Sequence, residues 1–429
     1  MSSIDAKQLT VEDLRSAVAD GAVALRSRTV LQPAGGKGTK VFPPTYADAV
    51  YATEKRRLPG HPDPVECVLL DSVQSQANRM EEALQQAVDD GRLRLPVIET
   101  DFTPNFPGED QPEALRLLDP VGKVTSLQVP HRIADAILRD SELDGTPFRQ
   151  SDVGAAIDRV GTQNATALFD LCPTALLFGM WDSTGPKGGL GAKFERALVS
   201  EIVGINAVYG VKTSSRIDPL GIQLKAGPLY ATSNGGWTLD EASARQQKKK
   251  PVMLGKDGRP SEANHGNITP SLSERDRNTN EYVAGGVTID YAAQTVVISL
   301  PALRRLRFPV DGTLSRDADN AARAVLAALG LCAATLAAEA GLDLRSRCLL
   351  WPTEPLSWEL LEKPGSEPIR VSLDSNAAIG LLTDSVEAAK NSGLPWREEP
   401  VVLTPSEQLV KLVVKSQHLA AQQSSEGGE

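Results

Sequence analysis

The side chains best suited to chemistry stand in three short stretches. Leu70 to Leu84 reads Leu-Asp-Ser-Val-Gln-Ser-Gln-Ala-Asn-Arg-Met-Glu-Glu-Ala-Leu. Asp71 suits a helix N-cap, and Gln74 three residues on can close a capping box. Val73, Ala77, Met80, Leu84 and Val88 recur at helical spacing and make a stripe for the core. The opposite face carries Gln74, Ser75, Asn78, Arg79 and Glu82. Amide, hydroxyl and guanidinium groups suit phosphate and sugar contacts, which is how proteins position a nucleic-acid backbone. A helix that is merely soluble on that side explains the same residues.

The second stretch is the glycine-rich run Trp181-Asp-Ser-Thr-Gly-Pro-Lys-Gly-Gly-Leu-Gly-Ala-Lys193. Exposed backbone N–H groups leading into a helix N-terminus cradle anions, and Lys187, Lys193 and Arg196 beside them favour a phosphate contact. The spacing is not that of a P-loop, so an NTPase is not expected. A plain flexible connection is the competing reading. The third stretch is His131-Arg132 at an expected helix start, able to stack on or bond to a nucleotide, and equally able to cap or pack.

Catalysis finds no such support. The histidines His61, His131, His265 and His418 have no metal-ligand partner at i+3 or i+4. No Gly-x-Ser-x-Gly elbow, HExxH or Cys–His arrangement is present. Asp71 and Asp182 are more simply explained as a cap and a turn residue than as ligands for nuclease chemistry. The expectation is no catalytic residue, no metal and no cofactor.

These stretches need elements to hold them. Thr10-Val-Glu-Asp13 opens a capped helix that ends near Gly21. Ala22 to Leu31 alternates as a strand, with Val23, Leu25, Ser27 and Thr29 on one face and Arg26 and Arg28 on the other. A loop rich in glycine, lysine and proline follows, from Gln32 to Pro44, with Lys37 and Lys40 within it. Val65 to Leu70 reads as a short buried strand, and Val129 to about Asp140 as a helix preceded by proline-rich chain. Ala165 to Met180 is apolar, broken only by Pro173, and reads as strand material in a central sheet. A helix with Phe194, Leu198 and Ile202 inward is expected next.

Residues 232–282 are the most loop-like, with the basic run at Lys248–Lys250; a segment so long and polar is functional or disordered. Val283 to Leu300 reads as a strand pair, Asp317 to Ala340 as a long helix, and Leu344 to Trp351 as a strand with Arg345 and Arg347 on one face. The tail ending Ser-Ser-Glu-Gly-Gly-Glu is expected to be disordered. Without insertions the order is strand, helix, strand, strand, helix, strand, the split βαβ plan also used by RNA-recognition domains. An α/β arrangement with a second domain is the other possibility.

The 429 residues suffice for one elaborated domain or two to three ordinary ones, and 41% hydrophobic residues support a real core. A net charge of −10 argues against non-specific coating of duplex DNA, though not against cations gathered in one groove. Cys67, Cys172, Cys332 and Cys348 have no CxxC spacing and read as buried small hydrophobes in a reducing compartment. With no signal peptide, and no apolar run of 18 or more residues as a membrane span needs, a soluble cytoplasmic chain without membrane contact is expected.

Several blocks together resemble one family. Leu25-Arg-Ser-Arg-Thr-Val-Leu-Gln-Pro33, Pro43-Pro-Thr-Tyr46, Leu70 to Arg79, Pro130-His-Arg-Ile-Ala-Asp-Ala136 and Phe178-Gly-Met-Trp-Asp-Ser-Thr-Gly185 to Lys193 are similar to the RAMP-type CRISPR backbone subunit of the type I-G (formerly I-U) Cascade complex, the "Cas seven" group. The likeness spans roughly residues 22–350, and the Gln-Ser-Gln-Ala-Asn-Arg block is its most specific part.

The resemblance implies an α+β fold: a modified RRM/ferredoxin-like (RAMP) palm with large finger and thumb insertions. Residues 1–21 would form the N-terminal helix and 22–352 the palm, with fingers near 92–164 and a thumb near 205–282. Residues 353–429 would be a C-terminal extension with an acidic tail. It implies copies polymerised head to tail along the CRISPR RNA (crRNA), whose bases stay free to pair with target DNA. Expected partners are crRNA, target DNA, further copies of the chain, a fused Cas five/six-type subunit and a large Cas eight-type subunit.

Carried over by position, the RNA contacts are Arg26, Arg28, Gln74, Gln76, Asn78 and Arg79 in the palm, His131 and Arg132 in the fingers, and Ser183, Lys187 and Lys193 at the glycine loop. Arg196, Lys37 and Lys40 complete the set. The alternative is a metal-dependent RNA-cleaving RAMP protein using Asp276 or Asp257. A protein-only scaffold is a third reading.

Overall fold

The computed structural model describes residues 7–47, 50–183, 191–273 and 284–427, with 423–427 described by backbone alone. It mixes helix and sheet around a curled antiparallel sheet of nine strands. In chain order these are β1 (Ala24–Pro33), β2 (Thr53–Arg56), β3 (Val65–Asp71), β4 (Leu198–Ile205), β5 (Tyr291–Ser299), β6 (Leu342–Asp343), β7 (Leu349–Pro352), β8 (Trp358–Leu361) and β9 (Ile369–Val371). Their lateral order is β2-β3-β4-β5-β1-β7-β6, and β8 pairs with the start of β1 and with β9.

Strict alternation on β5 fixes the two faces. Ala292, Gln294, Val296 and Ile298 are buried, whereas the residues between them are partly exposed. Helices α1 (Val11–Ala19), α2 (Val73–Asp89), α3 (Thr166–Leu171), α4 (Pro173–Phe178), α5 (Arg316–Glu339) and α6 (Ser375–Asn391) contribute to one large core with the buried face. The opposite face carries Arg26 and Arg28 of β1, across from Val297 and Thr295 of β5.

The axis of the core is α5. Eighteen of its residues, from Ala318 to Leu336, are buried, so a helix long and apolar enough to cross a bilayer is here a core helix, with 89% of its most apolar window covered. Alanines let it approach the sheet closely. At Gly330 a Cβ would lie 2.9 Å from Ile298 Cδ1 and 3.2 Å from Leu198 Cδ1. Arg323 is buried within this helix because it donates to the Leu306 carbonyl and lies 3.5 Å from Asp319.

The helix at Thr10 is capped as expected, and the cap is a full capping box, with Asp13 accepting from the Thr10 backbone. Several other expectations are corrected. Ser72, not Asp71, caps α2, accepting from Ser75 N; Asp71 ends β3 and is fully buried. Ala165 to Phe178 is not sheet material but the helices α3 and α4; of the expected stretch only Met180 is in a strand. Pro173 sits at the first position of α4, where its missing N–H costs nothing. The expected helix through Leu198 and Ile202 is the strand β4. Leu198, Ser200 and Ile202 point inward in period two, and buried Ser200 hides that period from hydropathy.

The expected helix 129–140 is only a 3-10 turn at Arg132–Ala134 and a short helix at Ala136–Arg139. Arg345 and Arg347 sit in the turn between β6 and β7 rather than on a strand. Among its described residues, the loop-like 206–286 excursion holds two-stranded pairs, the longest being Lys212–Arg216 with Ile268–Ser273. A five-stranded sheet joins Lys123–Thr125, Ile98–Asp101, Val401–Pro405, Ser141–Leu143 and Thr146–Pro147. Residues beyond 353 thus complete both sheets, and α6 packs on α5. The final helix α7 (Glu407–Gly427) takes in the start of the acidic tail; residues 428–429 lie outside the described residues.

Candidate nucleic-acid interface

Three elements surround a groove of about 780 Å³: the first residue of α2, the segment 130–139, and a hairpin of Met180–Trp181 with Lys193–Phe194. Alternation on the hairpin sorts its side chains. Met180 and Phe194 face each other and are buried at 6% and 4%, so Trp181 and Lys193, also paired, turn outward to the groove. The glycine-rich loop closes this hairpin, with Asp182 N donating to Ala192 O at 3.0 Å. Asp182 is itself buried and accepts from Arg149, which also pairs with Asp158. That anchors the loop's first residue.

The groove gathers positive charge. Its lining includes His131, Arg139, Lys193 and Arg196. His131, Lys193 and Arg196 are exposed, and among the described residues their side chains have no ion pair. Arg139 is bound to Asp140, and the groove's Glu195 is taken up by Arg305 at 2.6 Å. Arg196 lies close over Gly179, where a Cβ would sit 3.1 Å from Arg196 Cγ and 3.1 Å from Phe194 O; Gly179 has φ +87°, so glycine alone fits well.

Arg132 lines the same groove but does not offer its guanidinium to it. It is 7% exposed and donates to both oxygens of Glu81, at 2.8 and 2.6 Å, and to the Gly179 carbonyl at 3.1 Å. Its plane stands 5.4 Å from the Phe178 ring. The fork joins α2, the 130–139 segment and the end of α4 into one wall. Burial pushes the Glu81 carboxyl up from its ordinary range, against the opposing pull of Arg132.

A second internal network takes up two more of the expected contacts. Gln76 is 2% exposed. It donates to Asp71 Oδ2 at 2.6 Å and accepts from Ser200 at 2.8 Å and Gln294 at 2.9 Å. Arg79 donates to Asp71 at 3.0 Å and to the Leu344 carbonyl at 2.6 Å, and Arg345 approaches Asp71 from the other side at 3.4 Å. A fully buried carboxylate is tolerable only when bonded in this way. Gln76 and Arg79 therefore fasten α2 to the sheet, while Gln74 and Asn78 remain exposed.

The other expected residues fall elsewhere. Arg26 donates to Glu359 of β8 at 2.8 Å, and the largely exposed Arg28 lies 3.6 Å from that carboxylate, both on the open sheet face. Lys37 is exposed in the turn after β1. Lys40 reaches the Val211 carbonyl at 3.4 Å, at the base of the 206–286 excursion. Ser183 is in the groove; Lys187 lies outside the described residues. Of the expected set, the structure thus unites His131, Arg132, Ser183, Lys193 and Arg196.

Sequence reading missed Trp181 and Arg139 as groove residues. The available signal was a tryptophan directly before the glycine loop, preceded by a methionine that takes the buried side.

Residues 25–209, which hold the hairpin, α2 and the whole groove, match the family model described as CRISPR-associated protein GSU0053. The match indicates a CRISPR-associated protein and supports a role in CRISPR defence, in company with other Cas proteins. No curated protein matches the chain.

Proposed function

We propose that the chain is the crRNA-binding backbone subunit of a type I-G Cascade complex, a member of the "Cas seven" group that lines up in copies along the guide and leaves its bases free for target DNA. The observation that carries the proposal is the groove, where Lys193, Arg196 and His131, with no ion pair among the described residues, converge near the first residue of α2. Those are backbone-phosphate contacts in type: cationic and sequence-blind. They also reconcile a net charge of −10 with RNA binding, because the cations are local.

The strand order supports a RAMP-type palm. Taking β1, β4, β5 and β7 as the four strands of a βαββαβ unit, with α2 and α5 as its helices, their lateral order β7-β1-β5-β4 is that of the ferredoxin-like plan. In this reading residues near 205–282 are the thumb, and those near 92–164 the fingers. Gln74, Asn78, Ser183, Lys187, Arg28 and Lys37 extend the RNA track. Arg132 holds its wall in place, Gln76 and Arg79 fasten α2 to the sheet, and Arg26 ties β1 to β8 through Glu359.

The subunit is proposed to be non-catalytic and cytoplasmic, working with a fused Cas five/six-type and a large Cas eight-type partner. Of the acids considered for RNA cleavage, Asp257 lies 3.4 Å from Arg259, and Asp276 falls outside the described residues. The proposal is tested by incubating the assembled complex with target RNA and Mg²⁺. Intact RNA is the expected outcome, and site-specific cuts abolished by Asp276→Ala would replace it with the nuclease reading.

A further inference from the structure

Trp181 is 59% exposed, a large aromatic surface in the same groove as Lys193 and Arg196, which have no ion pair among the described residues. Its orientation is not accidental to the hairpin. Buried Met180 and Phe194 fix the alternation, so the indole at the next position must face the groove with Lys193 directly across the ladder. Val73 and Val199 supply apolar floor in the same groove, and Val199 is 41% exposed. An exposed ring flanked by cations over an apolar floor has two complementary halves, one for the flat face of a base and one for phosphates.

Resting on the RNA-binding reading above, we infer that Trp181 is a stacking platform for one unstacked base, with Lys193 and Arg196 on neighbouring phosphates, so that the groove selects a single RNA strand over a duplex. Every base has a π-face, so stacking tolerates any sequence, as a guide-binding surface requires. Within an A-form duplex the base faces are stacked against one another, and only backbone and groove edges are offered. A duplex can therefore reach Lys193 and Arg196 but not the indole. Trp181 is a specificity-determining residue in this account, and the two cations supply the strength.

The test uses the purified full-length chain and a 5′-labelled oligouridine of about ten nucleotides, alone and annealed to oligoadenosine. The wild type is expected to prefer the single strand and to show quenched tryptophan fluorescence on binding it. Trp181→Leu is expected to weaken single-strand binding about 5- to 150-fold, the range for one base–aromatic stack, and to leave duplex binding unchanged. Trp181→Phe keeps a stacking face, so it should retain most of the affinity while the quench disappears, the other four tryptophans notwithstanding.

Equal affinity of Trp181→Leu and wild type for the single strand, or a quench that survives in Trp181→Phe, overturns the platform and leaves the RNA-binding reading standing. A duplex bound as tightly as the single strand does the same. No binding of either RNA by the wild type removes both.

Discussion

Trp181 and Lys193 stand opposite one another in the antiparallel pair that closes the glycine-rich loop, and both face the groove. Their ladder neighbours Met180 and Phe194 are buried, so a two-residue strand decides which side chains enter the core and which line the groove. The wall behind them is held by a buried arginine–glutamate fork. The proposed RNA contacts and the stability of the wall thus fall on neighbouring residues with different burial, and mutations can separate them.

Reversing both groove cations, Lys193→Glu with Arg196→Glu, is expected to weaken RNA binding at every sequence alike. The salt dependence should flatten as well: losing two single-strand phosphate contacts lowers the slope of log K against log salt by about 1.4. Both side chains are exposed, so the unfolding midpoint should hardly move. Titrations over a range of NaCl, with a thermal melt of the same variant, check both halves.

Arg132→Met strands Glu81 in the core and is expected to destabilise the fold by about 3–5 kcal/mol, the usual effect of breaking a buried pair. Arg132→Met combined with Glu81→Leu removes both charges and should recover most of that loss. Denaturant unfolding of the two variants decides between this role and a direct contact with RNA, for which the single change would leave stability alone.

On α2, adjacent residues should behave oppositely. Asn78→Ala leaves an exposed position and should stay within about 0.5 kcal/mol of wild type. Arg79→Ala leaves the buried Asp71 short of a partner and is expected to cost about 3 kcal/mol, the low end because Arg345 remains 3.4 Å away. Urea unfolding measures both, and RNA retention by Asn78→Ala shows whether this face touches the guide.

Much of this was legible in the sequence. The capped first helix, β3, the long helix α5 and the amphipathic α2 all announce themselves through caps and clean periodicity. So did five of the residues that line the groove, because they sit beside a glycine loop or a proline-led turn. What stayed hidden has a common cause. Phe194, Leu198 and Ile202 are spaced as on a helix, but β4 is a central strand with a small polar residue, Ser200, on its buried side. Gln76 and Arg79 look like binding groups until the tertiary fold brings Asp71, Gln294 and Ser200 around them. Ser200 and Gln294 lie more than a hundred residues along the chain from Gln76, and the nearby Asp71 reads as a cap until its burial at the end of β3 is known, so sequence periodicity cannot see the network.

The four cysteines are expected to be inert in the native chain. All are buried, and burial pushes the Cys332 thiol up to about 12, so little thiolate is present near neutral pH. A thiol-reactive dye should label none of them rapidly until denaturant is added, and all four thereafter. Prompt labelling of Cys332 in the folded protein would contradict its place in the α5 core.

The central claim is that the groove holds guide RNA, and it is met most directly by co-expressing the chain with a CRISPR array and extracting whatever RNA purifies with it. The account predicts an oligomer carrying crRNA of the array's sequence, and an RNA-poor but folded product from the Lys193→Glu, Arg196→Glu variant. A monomeric wild-type protein free of RNA, or a variant that retains crRNA as fully as wild type, would contradict it.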